Sequence, residues 1–343
     1  MKLKRVLTAA LAVAVLTGSA LAADPVEVGP QGGENAEKPV YEVNRRNDNA
    51  SIRVWGTVKE LGEKSVYIEN SSDTDPYQKI VVKVSEDTAI IDAVTGTAKT
   101  FADLKEGETL YAYVSPAMTR SIPPQSVAEL IICNVPADIG APTYAQVEYV
   151  TAREGGGVSA LVSGAMILHL DAATELLSYG GGAAPTLADI KPGAMVLSWY
   201  QIVALSYPGQ AGPTKVMVFP YEYAGHISAQ PGSLAVNGAP LSLTGGEVPF
   251  VQDGKLMLPV RKLAEALGCT VAWDAKNPTA VVVTKGGKSL YSLTIGGDTM
   301  VLEGDMAMSV AAPVTARSGV TFVCVDDLLV AHNVKLEHQS LFS

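Results

Sequence analysis

The side chains of this chain best suited to metal or nucleophilic chemistry are four histidines, His169, His226, His332 and His338, and three cysteines, Cys133, Cys269 and Cys324. Their spacing decides what they can do. No two histidines stand as His-x-His, and no His-Glu-x-x-His pair is present for a zinc hydrolase. There is no Cys-x-x-Cys, no Gly-x-Ser-x-Gly and no phosphate-binding Gly-x-x-x-x-Gly-Lys. His332 and His338 flank an expected helix end, and with Cys324 they are the one grouping that could hold a metal weakly. The simpler expectation is that these histidines face solvent. An odd cysteine count excludes a fully paired disulfide framework. Three buried small hydrophobes are expected, with one pair plus a free thiol as the alternative.

Other candidate sites are weaker. Ser71-Ser72-Asp73-Thr74-Asp75 offers oxygen ligands for Ca²⁺ but lacks the full EF-hand spacing, so a polar hairpin tip is expected. Gly155-Gly156-Gly157 and Gly180-Gly181-Gly182 lie between strand patterns with no helix following, and read as turns rather than phosphate loops. Glycosidases need a carboxylate pair about 5–10 Å apart. With 35 Asp and Glu, some pair meets that separation by chance, so it marks no site.

Composition narrows the class. The 343 residues are 48% hydrophobic and 17% charged, which excludes a disordered chain. A net charge of −10 argues against a nucleic-acid partner, which requires a basic surface. Lys2, Lys4 and Arg5, the apolar run Val6–Leu16 and Ala20-Leu21-Ala22 together read as a cleavable signal peptide over 1–22. Export is therefore expected, to the outside or the surface of a bacterial cell. Residues 23–50 read as a flexible polar leader, in which Val40-Tyr41-Glu42-Val43 could alternatively add a strand to a neighbouring molecule. No later run reaches the ~18 apolar residues of a membrane helix, so no membrane span is expected in the mature chain.

The elements that must position any site are mostly strands. Ile52–Val58, Ser65–Glu69 and Thr109–Val114 alternate apolar and polar residues, and Lys79–Val84 is β-branched. Thr100-Phe101-Ala102-Asp103-Leu104-Lys105-Glu106-Gly107 recurs as Thr186-Leu187-Ala188-Asp189-Ile190-Lys191-Pro192-Gly193, and each copy precedes a strand, a Pro-bearing loop and a second apolar strand. The spacing predicts two tandem small β-barrel or sandwich domains, near 51–137 and 144–223. The Thr-x-x-Asp element predicts a capped single turn rather than a metal site. Trp199 and Tyr200 fall on a strand of the second domain, with core packing expected for Trp199.

The last third, 226–343, has a different pattern: an α+β unit behind a mainly β chain. Val236-Asn237-Gly238 is a strand and a tight turn. Leu258-Pro259-Val260-Arg261-Lys262-Leu263-Ala264-Glu265-Ala266-Leu267-Gly268 runs from a strand into a helix, and Val271-Ala272-Trp273-Asp274 begins another strand. Val260, Leu263, Ala264 and Leu267 share one helical face, and Gly268 stands where a left-handed cap is needed. The element from Gly254 to Gly268 is echoed from Gly319 to Asn333, with Cys324 in place of Pro259 and Asp326 in place of Arg261.

These motifs, in this order over about 226–338, resemble the copper amine oxidase N-terminal-like family, also called the stalk domain. The resemblance implies a duplicated strand–helix fold, carried on exported bacterial proteins. It does not imply copper: the catalytic domain of such an oxidase needs an Asn-Tyr-Asp/Glu motif and a His-x-His pair, and neither occurs here. No cofactor and no catalytic residue is expected. Arg261, Trp273 and Asp274, as motif positions, are the candidate ligand-binding residues, although core packing under the sheet is the first expectation for Trp273. The function expected is structural or binding, with cell-wall polymer or a surface protein as partner. The alternatives are self-association into a fibre by strand addition and hydrolysis of wall polymer.

Overall fold

A computed structural model describes residues 51–137 and 140–337. The expected signal peptide (1–22), the leader (23–50) and His338 lie outside the described residues. Within them the fold is mainly β.

The first sheet holds β1 (Ile52–Leu61), β2 (Ser65–Glu69), β3 (Lys79–Lys83), β4 (Ala89–Asp92), β5 (Thr109–Val114) and β6 (Gln125–Cys133). Antiparallel pairing runs from β3 through β2, β1 and β5 to β6, and a parallel pairing of β3 with β6 closes the ring. Closure makes this a barrel rather than a sandwich, and removes free edges from its five strands. The order, with a parallel contact between the third and last barrel strands, is that of an OB-type Greek-key barrel. β4 adds outside, parallel to β6. Alternate residues Val54, Val58, Val66, Ile68, Ile80 and Val82 fill the interior, as the period of two dictates.

The second sheet repeats this plan with β7 (Thr143–Ala152), β8 (Val158–Val162), β9 (Met166–Leu170), β10 (Glu175–Ser178) and β11 (Met195–Trp199). One strand is split: Gly212-Pro213-Thr214 separates β12 (Gly209–Ala211), which pairs with β9, from β13 (Lys215–Val218), which pairs with β10 and β11. The repeated eight-residue element has the same geometry in both copies. The Asp103 carboxylate accepts from the N–H and the hydroxyl of Thr100, both at 2.8 Å; that of Asp189 accepts from Thr186 at 2.8 and 3.0 Å. These bonds hold both carboxyls below the usual carboxylate range. Gly107 then donates to Val58 O at 2.9 Å, and Gly193 donates to Val147 O at 2.8 Å.

Besides its own core, each barrel contributes to one they share. Corresponding positions of the two copies supply it: Ile91 and Leu177, Tyr111 and Leu197, Tyr113 and Trp199. Tyr144 N–H donates to Tyr113 Oη at 2.9 Å, and the Trp199 indole N–H donates to Ala93 O. Trp199 is thus a packing residue. Each large side chain fully buried here contributes about 1.5–3 kcal/mol relative to its exposed state.

The remaining strands form three sheets around a third core. β14 (Gly225–Gln230), β15 (Ser233–Val236) and β16 (Ala239–Pro240) form a meander. β17 (Phe250–Gln252) and β18 (Lys255–Pro259) lead into α1 (Val260–Ala266). β19 (Thr270–Trp273), β20 (Ala280–Lys285), β21 (Lys288–Thr294), β22 (Thr299–Leu302) and β23 (Met306–Ser309) form a five-stranded antiparallel sheet. β24 (Thr315–Arg317) and β25 (Val320–Cys324) lead into α2 (Val325–His332), and β26 (Val334–Leu336) returns parallel to β14. The duplication is visible in the pairing: β18 and β25 are antiparallel with Leu258 opposite Val323, the same position in each copy. Pro259 caps α1, and Val260, Leu263 and Ala264 are fully buried. Gly268 (φ 75°) ends the first helix and Asn333 (φ 50°) the second, both left-handed.

Candidate functional site

The turn from β18 into α1 and on to β19 builds a surface groove. Pro259 ends β18, so Arg261 and Lys262 fall on the exposed side of α1 while Val260 and Leu263 turn into the core. β19 is an edge strand, hydrogen-bonded only to β20, with Trp273 opposite Val281. Gly319 and the first residues of β25, Val320 and Thr321, line the groove with Glu247. The enclosed space is about 90 Å³.

Arg261, Lys262 and Glu247 each make polar contacts in the groove. Arg261 Nη1 donates to Val271 O at 2.8 Å, tying α1 to β19, and approaches Glu265 Oε1 at 3.4 Å. Both contacts use Nη1, which leaves the other guanidinium N–H groups without a partner among the described residues. Lys262 Nζ lies 3.4 Å from Glu247 Oε2. Glu247 also accepts from the N–H and hydroxyl of Thr244, at 2.8 and 3.0 Å, and the Thr244 N–H is the main reason its carboxyl sits below the usual range. Trp273 is 48% exposed, which overturns the expectation that it packs under the sheet. The reason is its edge position: among the described residues no strand pairs with the outer side of β19.

The structure brings Arg261 and Trp273 to one groove and leaves Asp274 out of it. Asp274 Oδ1 instead accepts from Lys276 N–H at 2.8 Å and shapes the turn into β20. Glu247, Lys262 and Thr321 are groove residues that the sequence reading missed. One signal was present: Thr244-Gly245-Gly246-Glu247 repeats the Thr-x-x-acid spacing of the barrel turns, which marks a fixed carboxylate.

Of the metal candidates, His332 and Cys324 are not brought into contact, and His338 lies outside the described residues. His332 does not face solvent; it is buried, because α2 packs its last turn against β21. Its Nε2 lies 2.9 Å from Tyr291 Oη, and its Nδ1 lies 4.0 Å from the Sγ of Cys269, not of Cys324. Burial pushes His332 down to about 4 and the Cys324 thiol up to about 11. No group of three or more His, Cys, Asp or Glu side chains suited to a metal occurs among the described residues. The 71–75 tip satisfies its own groups: Asp75 accepts from Tyr77 N–H at 2.8 Å and from Asn70 Nδ2 at 2.9 Å. All three cysteines are unpaired and buried.

The groove is lined by a flat π face, a pinned cation and a fixed acid–base ion pair, with no nucleophile and base in contact among the described residues. Such a set binds by stacking and charge-assisted hydrogen bonds. The fold around it is a duplicated strand–helix domain behind two β-barrels. Residues 235–339 match the family model described as the copper amine oxidase N-terminal domain. No curated protein matches the chain.

Proposed function

We propose that this is an exported, non-catalytic recognition protein of the bacterial surface, whose C-terminal groove holds a segment of wall polymer and whose barrels carry that groove. The observation that bears the reading is that the exposed Trp273 and the anchored guanidinium of Arg261 line one groove. A pyranose ring offers a C–H face that stacks on an indole, and its hydroxyls and carboxylates suit the guanidinium's remaining donors. A groove of about 90 Å³ takes part of a polymer rather than a whole small ligand, since ligand pockets run to about 300–1,000 Å³. A surface protein presenting an extended acidic or aromatic segment would use the same groups.

Co-sedimentation of the full chain with purified bacterial cell wall tests this. Retention of the unaltered chain is expected, with Trp273→Ala and Arg261→Ala each reducing it about tenfold or more, a loss of about 1.4 kcal/mol. Asp274→Ala should leave retention unchanged, because Asp274 is outside the groove. An unaltered chain that stays in the supernatant overturns the proposal. Turnover of wall polymer by the purified chain would replace it with the hydrolase reading.

A further inference from the structure

The two barrels carry the same loop, between β5 and β6 in the first and between β11 and β12 in the second, and the second copy differs in one respect. Between Trp199 and Gly209 it exposes Ile202 (83%), Leu205 (fully), Tyr207 (84%) and the edge of Val203. From Gln201 to Thr214 no residue carries a charge. In the first copy only Ile122 is exposed among large apolar residues, Arg120 stands beside it, and Met118 folds back onto the barrel core. The barrel therefore closes without an apolar tip, and the tip of the second copy is not a requirement of the fold.

The loop is also built rather than slack. Ala204 N–H donates to Gln210 O at 2.8 Å, Ser206 N–H to Ala204 O at 2.9 Å, and the Ser206 hydroxyl to Pro208 O at 2.7 Å. Gln210 Oε1 lies 2.9 Å from His169 Nε2, whose Nδ1 meets Ser159 Oγ at 2.9 Å, which fastens the loop's base to β8 and β9. The tip meets much of its own backbone and hydroxyl demand internally, and its side chains point away from the protein.

We propose that loop 201–208 is a membrane-docking tip that enters the interfacial layer of a zwitterionic lipid surface. A protein interface carries a polar rim around its apolar centre. This tip carries no charged residue of its own from Gln201 to Thr214, and near-complete exposure of Ile202, Leu205 and Tyr207 makes it a knob rather than a flat patch. A segment without charge and with paired polar groups is what a low-dielectric layer admits. Tyr207 has the amphipathic ring that settles at head-group level. The net charge of −10 disfavours an anionic lipid surface. The proposal does not depend on the Trp273 groove.

The test uses the full chain carrying Leu205→Cys labelled with an environment-sensitive fluorophore. The three native cysteines are buried, so the label goes to one site. With phosphatidylcholine vesicles the 205 probe should brighten several-fold and shift to the blue, and Ile202→Asp with Tyr207→Ser should abolish the change. A probe at Met306→Cys, an exposed position of the C-terminal domain, should not respond. A 205 probe that stays water-like on vesicles overturns the proposal, even if the chain is retained there by another segment. Brightening without lipid that grows with protein concentration also overturns it, and assigns the tip to a second copy.

Discussion

Asp327 and His332 occupy the first and last turns of α2, both buried and both pushed toward their neutral forms. The carboxylate faces the Ala311 N–H, with its two oxygens 3.1 and 3.0 Å away, and burial raises it to about 6. The imidazole meets Tyr291 Oη, and burial lowers it to about 4. The two have opposite linkage. Above the unfolded carboxyl value the unfolded state gives up the Asp327 proton first, so stability falls as pH rises from about 4 to 6. Below pH 6.5 the unfolded state takes up the His332 proton first, so stability rises over nearly the same interval. Each shift corresponds to roughly 3 kcal/mol across its window.

The two contributions therefore oppose one another between pH 4 and 6, and single substitutions should expose each slope. Asp327→Asn should leave stability rising with pH, and His332→Gln should leave it falling. Urea midpoints at four pH values distinguish these. Parallel profiles for both variants would show that the pair does not set the balance.

Gly56 lies in β1, where a Cβ would come within 2.8–2.9 Å of the Glu69 backbone on β2. Neither backbone can retreat without opening the barrel. Gly56→Ala should cost on the order of 2 kcal/mol, read as a lowered denaturation midpoint with an unchanged slope. Gly164→Ala provides the contrast: open space surrounds that position, and its cost comes only from a positive φ.

Burial pushes the Cys133 thiol up to about 12 and Cys324 to about 11, and raises Cys269 as well. A thiol reagent at pH 8 should leave all three unmodified in the native chain and modify all three in denaturant. Fast native modification of any one would contradict its burial.

Much of this fold was readable in the sequence because the informative patterns are local. Alternation in Ile52–Val58, the Thr-x-x-Asp turns and the Val260–Leu267 face each depend on neighbours a few residues away. What was not readable depends on distant pairing. Trp273 stands exposed because no strand of the described residues adds to the outer side of β19, and His332 is buried because β21 lies across α2. The parallel contact that closes each barrel joins segments some forty residues apart. The splitting of one strand into β12 and β13 turns on Gly212-Pro213, which reads equally as an ordinary loop. Arg261 was named from its motif, but its tether to Val271 O required knowing where β19 runs.

Leu197 and Met217 belong to the second barrel yet share a core with Ile91, Tyr113 and Ile132 of the first. Leu197→Ala should cost about 2–5 kcal/mol and lower hydrogen-exchange protection in β5 and β6 of the other barrel as well as in β11. Protection lost only in the second barrel would mean that the shared core does not couple them.

The second barrel is in turn pinned to the C-terminal domain, where Asn333 Nδ2 donates to Glu222 O at 2.9 Å and Ala224 N–H donates to Asn333 O at 2.8 Å. A chain of separate beads would take up a pull by straightening its linkers. Here the common core of Ile132 and Leu197 leaves no slack between the barrels, so a load applied at one end passes through packed side chains. The assembly should resist stretching as a strut does, yielding only when a barrel breaks.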